Sequence, residues 1–212
     1  MDQVLKWFED LRLIAIIRSS SADDAEEMIK AASAGGFRIF EISMQTPQAP
    51  KLLELHSKQS EFLFGAGFVT DGEMAQRAIN AGAKFLSTPY TDKDVITVAK
   101  NNGNFVIQGV FTLNEAVTAA QLGADMIQIY PASAAGGSRY LKSLRGALPS
   151  LKLAAGGGVD LETAPEYLKY CIAVFLNKAL FAKPLVRSDN WNELTERARL
   201  FTQKLEASKI AK

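Results

Sequence analysis

Short apolar runs alternate with amphipathic segments along this 212-residue chain, and that alternation restricts the fold more than any other feature. The runs are Leu13–Ile17, Arg38–Ile42, Phe62–Gly65, Lys84–Ser87, Asn104–Ile107, Asp125–Ile129, Leu151–Ala154 and Ile172–Leu176. Each has strand length, and most are rich in β-branched or aromatic residues. Helical spacing of apolar residues lies between them, at Ala22–Ala34, Asp92–Ala99, Leu113–Leu122 and Leu161–Tyr170. Three helix ends carry the same device, Ala34-Gly35-Gly36, Ala81-Gly82-Ala83 and Leu122-Gly123-Ala124. Glycine just past a helix tolerates the left-handed conformation that turns the chain back into a strand. Strands that are apolar on both faces and alternate with helices imply a parallel sheet covered by helices.

Eight such units predict an α/β fold, a (β/α)8 TIM barrel forming one domain over residues 1–212. A compact barrel of this type needs about 200 residues. Seven units or fewer would point to an open doubly wound sheet. Arg18-Ser19-Ser20 follows the first run where a dinucleotide fold would place Gly-x-Gly-x-x-Gly. Gln3–Leu11, with Trp7 and Phe8, reads as an extra helix that plugs the bottom of the barrel, and Trp191–Ala207 reads as a closing helix.

Composition narrows the function classes. A formal net charge of +1 with scattered Lys and Arg offers no footprint for nucleic acid or an anionic membrane. No apolar stretch approaches the roughly 20 residues of a membrane span. Cys171 is the one cysteine, so an intrachain disulfide is impossible. That fits a reducing compartment, and no basic segment followed by an apolar run opens the chain. The expected location is the cytoplasm.

In such barrels function sits at the C-terminal ends of the strands. Glu41 stands inside an apolar run, and a carboxylate is rarely buried without a partner. It is either a general acid/base or half of a structural ion pair with Arg18. Gly156-Gly157-Gly158 after the seventh run can expose backbone N–H groups to an anion, and Lys178 after the eighth would face the same spot. The plainer alternative is a tight turn beside a solvated lysine. Gln108 and Gln128 lie among apolar neighbours, and buried amides must find partners. They bond each other, Glu41 or a ligand carbonyl. Gln45 and Thr46 follow the second run, and Arg18 at the end of the first suits a carboxylate or phosphate. His56 reads as a surface or helix-packing residue, Cys171 as packing, and there is no Cys/His cluster for zinc.

Several of these motifs together resemble a known family. Glu41-Ile42-Ser43 with Thr46-Pro47, Gly65-Ala66-Gly67 with Val69-Thr70, Tyr130-Pro131-Ala132 and Gly157-Gly158-Val159 occur in the order and spacing of the 2-keto-3-deoxy-6-phosphogluconate (KDPG) and 4-hydroxy-2-oxoglutarate (KHG) aldolases. The resemblance runs from the first strand to the last helix. It implies a homotrimer without metal or cofactor, acting on a small anionic keto acid or phosphorylated metabolite. Glu41 matches the family's proton-shuttling glutamate, Arg18 a basic residue at the end of strand 1, and Gly157 and Gly158 the phosphate-binding pair.

Other positions depart from the pattern. Gln128 stands where the family's Schiff-base lysine belongs, Phe68 replaces a carboxylate-binding threonine, and Gln108 replaces a proline. Gln45 takes the place of a basic residue, and Leu176-Asn177-Lys178 that of a Gly-Gly-Ser turn. A Schiff base needs a primary amine, and an amide nitrogen is not nucleophilic. Two expectations follow. The chain is a lyase of changed mechanism on a 2-keto acid, by aldol cleavage or β-keto-acid decarboxylation, with Lys178 as a conceivable relocated amine. Alternatively it is a catalytically inactive aldolase-fold protein that binds a metabolite or protein partner.

Overall fold

The computed structural model describes residues 2–210, with the side chains of 3–207, so the outermost limits of the expected 1–212 domain lie outside the described residues. The elements run α1 (Asp2–Leu11), β1 (Leu13–Ile17), α2 (Ala22–Ala34), β2 (Ile39–Ser43), α3 (Ala49–His56), β3 (Leu63–Gly67), α4 (Gly72–Asn80), β4 (Phe85–Thr88) and α5 (Lys93–Asn101). They continue with β5 (Phe105–Val110), α6 (Leu113–Leu122), β6 (Met126–Ile129), α7 (Ser138–Ala147), β7 (Leu153–Gly156), α8 (Ala164–Tyr167), β8 (Ala173–Leu176), α9 (Lys183–Arg187) and α10 (Trp191–Ile210). The strands pair in chain order, and β8 returns to β1, closing a parallel barrel. The fold is the (β/α)8 TIM barrel that the alternation predicts.

Local chemistry explains the element ends. Ser21, Asp71, Asp92 and Thr112 accept backbone N–H groups at the starts of α2, α4, α5 and α6, satisfying donors that a helix N-terminus leaves open. Gly36, Gly82 and Gly123 take the left-handed φ of 102°, 94° and 104° that the helix-end motif requires. One expected helix is far shorter. Leu161–Tyr170 contains only the turn of α8, because Asp160 and Thr163 bind each other and the local amides in a side-chain-closed turn.

Two apolar layers result from the alternation of side chains along each strand. Phe40, Phe64, Leu86, Val106, Ile127, Val174 and their neighbours face the helices. Ile14, Ile39, Leu63, Phe85, Phe105, Met126 and Ala173 fill the lower barrel. Phe8 of α1 enters this lower layer fully buried, with its ring edge-on to Phe85 at 5.2 Å and tilted against Phe105 at 5.6 Å. Arg12 locks the turn behind it, donating to the carbonyls of Ile172, Leu168 and Cys171. With the bottom packed shut, the interior opens only toward the C-terminal ends of the strands.

Phe8→Ala should therefore cost about 3–5 kcal/mol, the range for emptying a buried aromatic site. Urea unfolding monitored by circular dichroism measures it. A loss below about 1 kcal/mol would mean that α1 merely rests on the barrel.

Candidate functional site

Glu41 is the central residue of β2 and points inward with 5% exposure. Its carboxylate crosses the width of β3 to reach β4, where the Ser87 hydroxyl donates to Oε2 at 2.5 Å. The crossing is possible because β3 presents glycine. A Cβ on Gly67 would lie 2.1 Å from Glu41 Oε1, and one on Gly65 would lie 2.4 Å from the Phe85 ring. The Gly65-Ala66-Gly67 motif is thus a bare strip, with Ala66 facing the helices.

Gln128 repeats the arrangement across the barrel. It points inward from β6 with 6% exposure, and its Nε2 lies 2.3 Å from where a Cβ on Gly156 of β7 would sit. Glu41 and Gln128 line one cavity of about 70 Å³, with Ile16, Arg18, Ser43, Phe68, Ser87 and Tyr130. Burial pushes the Glu41 carboxyl from 4.5 up to about 7, against the opposing pull of the Ser87 hydrogen bond. The cavity therefore holds a carboxyl able to accept or release a proton near neutrality.

Arg18 does not pair with Glu41. It is exposed, and its guanidinium lies over the Phe68 ring, 5.7 Å from the centroid. Phe68 itself holds a left-handed φ of 55°, which costs a non-glycine residue about 1–2 kcal/mol. Strained backbone of this kind gathers at ligand clamps. Here it sets an aromatic ring at the cavity mouth.

A second, larger cavity of about 650 Å³ lies outside the first, and Arg18 lines both. Gln45, Lys178, Lys183 and Arg187 also line it, so four cations face the single carboxylate of Asp24. That excess stands out on a chain whose formal net charge is only +1. Lys178 belongs to this outer cavity and not to the one holding Glu41. A relocated Schiff-base amine beside Glu41 finds no support in that placement. Gly157 and Gly158 adopt φ of 79° and 81°, but neither lines the cavity of Lys178. They pack against Pro131 and Ser133 of the β6–α7 loop. The glycine pair, expected to face the same spot as Lys178, is thus not part of that cavity's lining.

Two further expectations change. Gln108 faces the helices, where its Oε1 accepts the Asp92 amide at 2.7 Å at the start of α5. It meets neither Gln128 nor Glu41, because Gln108 shares the outward parity of Val106 and Val110, while Ile107 on the same strand fills the interior. Thr46 is buried with its Oγ1 near Ser19 N at 3.4 Å and Ile17 O at 3.5 Å, so it ties the loop after β2 to the end of β1. Neither lines either cavity.

His56 packs between α2 and α3, bonded to Glu26 at 2.7 Å and stacked on Phe64. Burial pushes the Cys171 thiol up to about 12, which removes it as a nucleophile. Among the described residues no group of three or more His, Cys, Asp or Glu could hold a metal, and no helix is long and apolar enough to cross a membrane. Ser43, Ser87 and Tyr130 join the pocket with no role expected of them from the sequence, while Phe68 stands where the resemblance implies a substrate-binding position. Two-residue spacing from Glu41 to Ser43 was the available signal for one of them.

A (β/α)8 barrel with an inward carboxyl beside a cationic mouth defines an enzyme-like scaffold, and comparison with known proteins gives its lineage. The family model "KDPG and KHG aldolase" matches residues 4–197, and the chain belongs to that family. The 2-dehydro-3-deoxy-6-phosphogalactonate aldolase of Escherichia coli K12 is 32% identical over 169 residues, covering 77% of this chain and 81% of that protein. The 2-dehydro-3-deoxy-phosphogluconate aldolase of Haemophilus influenzae is 25% identical, covering 91% and 92%. A native KDPGal structure superposes with a TM-score of 0.84 at 29% identity, over 94% of this chain and 96% of that one. A Legionella pneumophila KDPG aldolase, with pyruvate captured as a covalent carbinolamine, superposes with a TM-score of 0.81 at 26% identity, over 92% and 96%.

The raised pKa carries a stability signature. Below pH 4.5 the folded and unfolded chains both hold the Glu41 proton. As pH rises through about 7 the unfolded chain has released it while the folded chain still resists, so stability is lost. Glu41→Gln keeps the shape and cannot ionise. It should match the parent protein below pH 4.5 and exceed it by up to about 3 kcal/mol above pH 7, as chemical unfolding at both pH values would show. Equal stability at pH 8 would mean that Glu41 is not desolvated.

Proposed function

We propose that this chain is an aldolase-family lyase acting on a small anionic 2-keto acid, by a mechanism that forms no Schiff base. The observation that carries the reading is the single inner cavity shared by Glu41 and Gln128. Glu41 is the acid/base. Its pKa near 7 leaves a large share of carboxylate at neutral pH, and the Ser87 hydroxyl holds one of its oxygens. Gln128 occupies the position that matches the family's lysine and binds the substrate without bonding to it covalently. Arg18, at the junction of the two cavities, holds the keto-acid carboxylate. Lys178 and Gln45, with Lys183 and Arg187, receive a distal anionic group in the outer cavity.

In aldol cleavage, ionised Glu41 takes the proton of the C4 hydroxyl, and the C3–C4 bond breaks. The products are an aldehyde and the enolate of the keto acid, which Glu41 then protonates at C3. β-Keto-acid decarboxylation reaches the same enolate by loss of carbon dioxide. Both routes need only groups present in the chain. Replacement of the lysine by Gln128 also supports a second reading, an inactive barrel that binds a metabolite or protein partner.

Borohydride treatment in the presence of pyruvate, followed by intact-mass measurement, tests the covalent question, and no adduct is expected. Assay of a keto-acid panel including 4-hydroxy-2-oxoglutarate and oxaloacetate tests activity. Turnover should rise with pH toward a plateau above about pH 7, and Glu41→Gln should lower it 10²–10⁴-fold. Saturable keto-acid binding without turnover would establish the second reading, and an adduct on Lys178 would overturn the non-covalent one.

A further inference from the structure

The buried polar side chains of the described residues are Glu41, Ser43, Thr46, His56, Ser87, Thr88, Gln108 and Gln128. All but the last hold a hydrogen bond within the protein. Gln128 has none, although it is more than nine-tenths buried and lines the inner cavity. Buried amides are normally satisfied, so an unpartnered one aimed into a cavity marks where a ligand supplies the partner. Its place opposite Glu41 narrows what that ligand does. In the closed strand order, β2 and β6 are separated by three strands in either direction. The carboxyl and the carboxamide therefore address a bound molecule from opposite walls.

We propose that the Gln128 carboxamide is an oxyanion donor, stabilising the enolate of a 2-keto acid, and that the chain accordingly exchanges C3 protons of keto acids without any covalent intermediate. This rests on the keto-acid reading above and gives it a mechanism. The C3–H bond breaks, and its proton passes to the Glu41 carboxylate. The released pair becomes the C2–C3 π bond, and the C2–O π pair moves to oxygen, which accepts an N–H of Gln128. Return of a proton from Glu41 to C3 restores the ketone. With neither end of the amide held by the protein, rotation about its last bond can bring the NH2 group to the oxygen. Donors aimed at developing negative charge in a water-poor site are among the strongest catalytic effects available to a protein. Gly156 is the positioning element, because its missing side chain leaves room for the amide.

Exchange of the pyruvate methyl protons in D2O, followed by proton NMR, tests the proposal. The parent protein should exchange them catalytically. Gln128→Met, of similar length but with no donor, should lose 10²–10³-fold in rate. The pH profile set by Glu41 should change little, and saturable pyruvate binding, measured by calorimetry, should persist in the variant. Gln128→Glu, the closest isostere, should lose as much above pH 7. Gly156→Ala should also slow exchange with Gln128 still present, because its Cβ would sit 2.3 Å from Nε2. Exchange at the parent rate by folded Gln128→Met, or binding of pyruvate without exchange by the parent, would overturn the proposal. If Gln128→Met also consumes the keto-acid panel normally, only the oxyanion role falls. If the parent neither exchanges pyruvate nor consumes any panel member, the keto-acid reading falls with it.

Discussion

The placement of a carboxylate across a bare strand organises the upper half of this barrel. Glu41 leaves β2, passes over Gly67 and ends at Ser87 on β4. Moving a charge from water into a protein interior costs far more than one neutral hydrogen bond returns. The burden shows as a carboxyl that titrates near 7. The same geometry accounts for the glycines of β3, for Ser87, and for the small cavity left above the apolar plug of Phe8, Phe85 and Phe105. A packed bottom and an uneasy acid above it are two parts of one arrangement. The lower layer supplies the stability that the upper layer gives up.

Outside that acid the environment changes from apolar to cationic over a short path. Arg18 belongs to both regions, resting on Phe68 while bordering the inner and outer cavities. A guanidinium on an aromatic face keeps its five donors available along its edge, where a carboxylate is best received. Phe68 reaches that position only through an unfavourable backbone conformation. The ring is not filling a convenient gap, because the chain is bent to deliver it. The shaping of the pocket thus runs from Gln128 in the inner cavity to Phe68 and Arg18 at its mouth.

Much of this was legible in the sequence, for identifiable reasons. Runs such as Leu13–Ile17 match their strand, and Ala22–Ala34 and Leu113–Leu122 match their helices, because apolar period and capping chemistry are local properties. Glu41 was legible as the exceptional charge in an apolar run. The direction of a strand residue was harder to read. In a strand buried on both faces, inward and outward positions are equally apolar, and the two-residue period disappears. Gln108 and Gln128 looked alike for that reason, yet one accepts the amide of Asp92 at the start of α5 and the other enters the cavity. The outer cavity was only half visible, because Lys183 and Arg187 reach it from α9, a five-residue helix whose placement depends on how the chain leaves β8. Leu161–Tyr170 looked helical by spacing, but the Asp160–Thr163 turn competes successfully for the same amides.

The open floor that Gly156 provides beneath Gln128 has a consequence for how such a protein changes over time. A long, unbranched side chain can rise over that glycine whatever group it carries at its tip, so the backbone is indifferent to the chemistry mounted there. In the genetic code the glutamine and lysine codons differ only in their first base. Glutamine and lysine at this position are therefore adjacent genotypes, joined by one base change above a glycine that accommodates either side chain. A lineage can cross between them in either direction while the surrounding residues adjust afterwards.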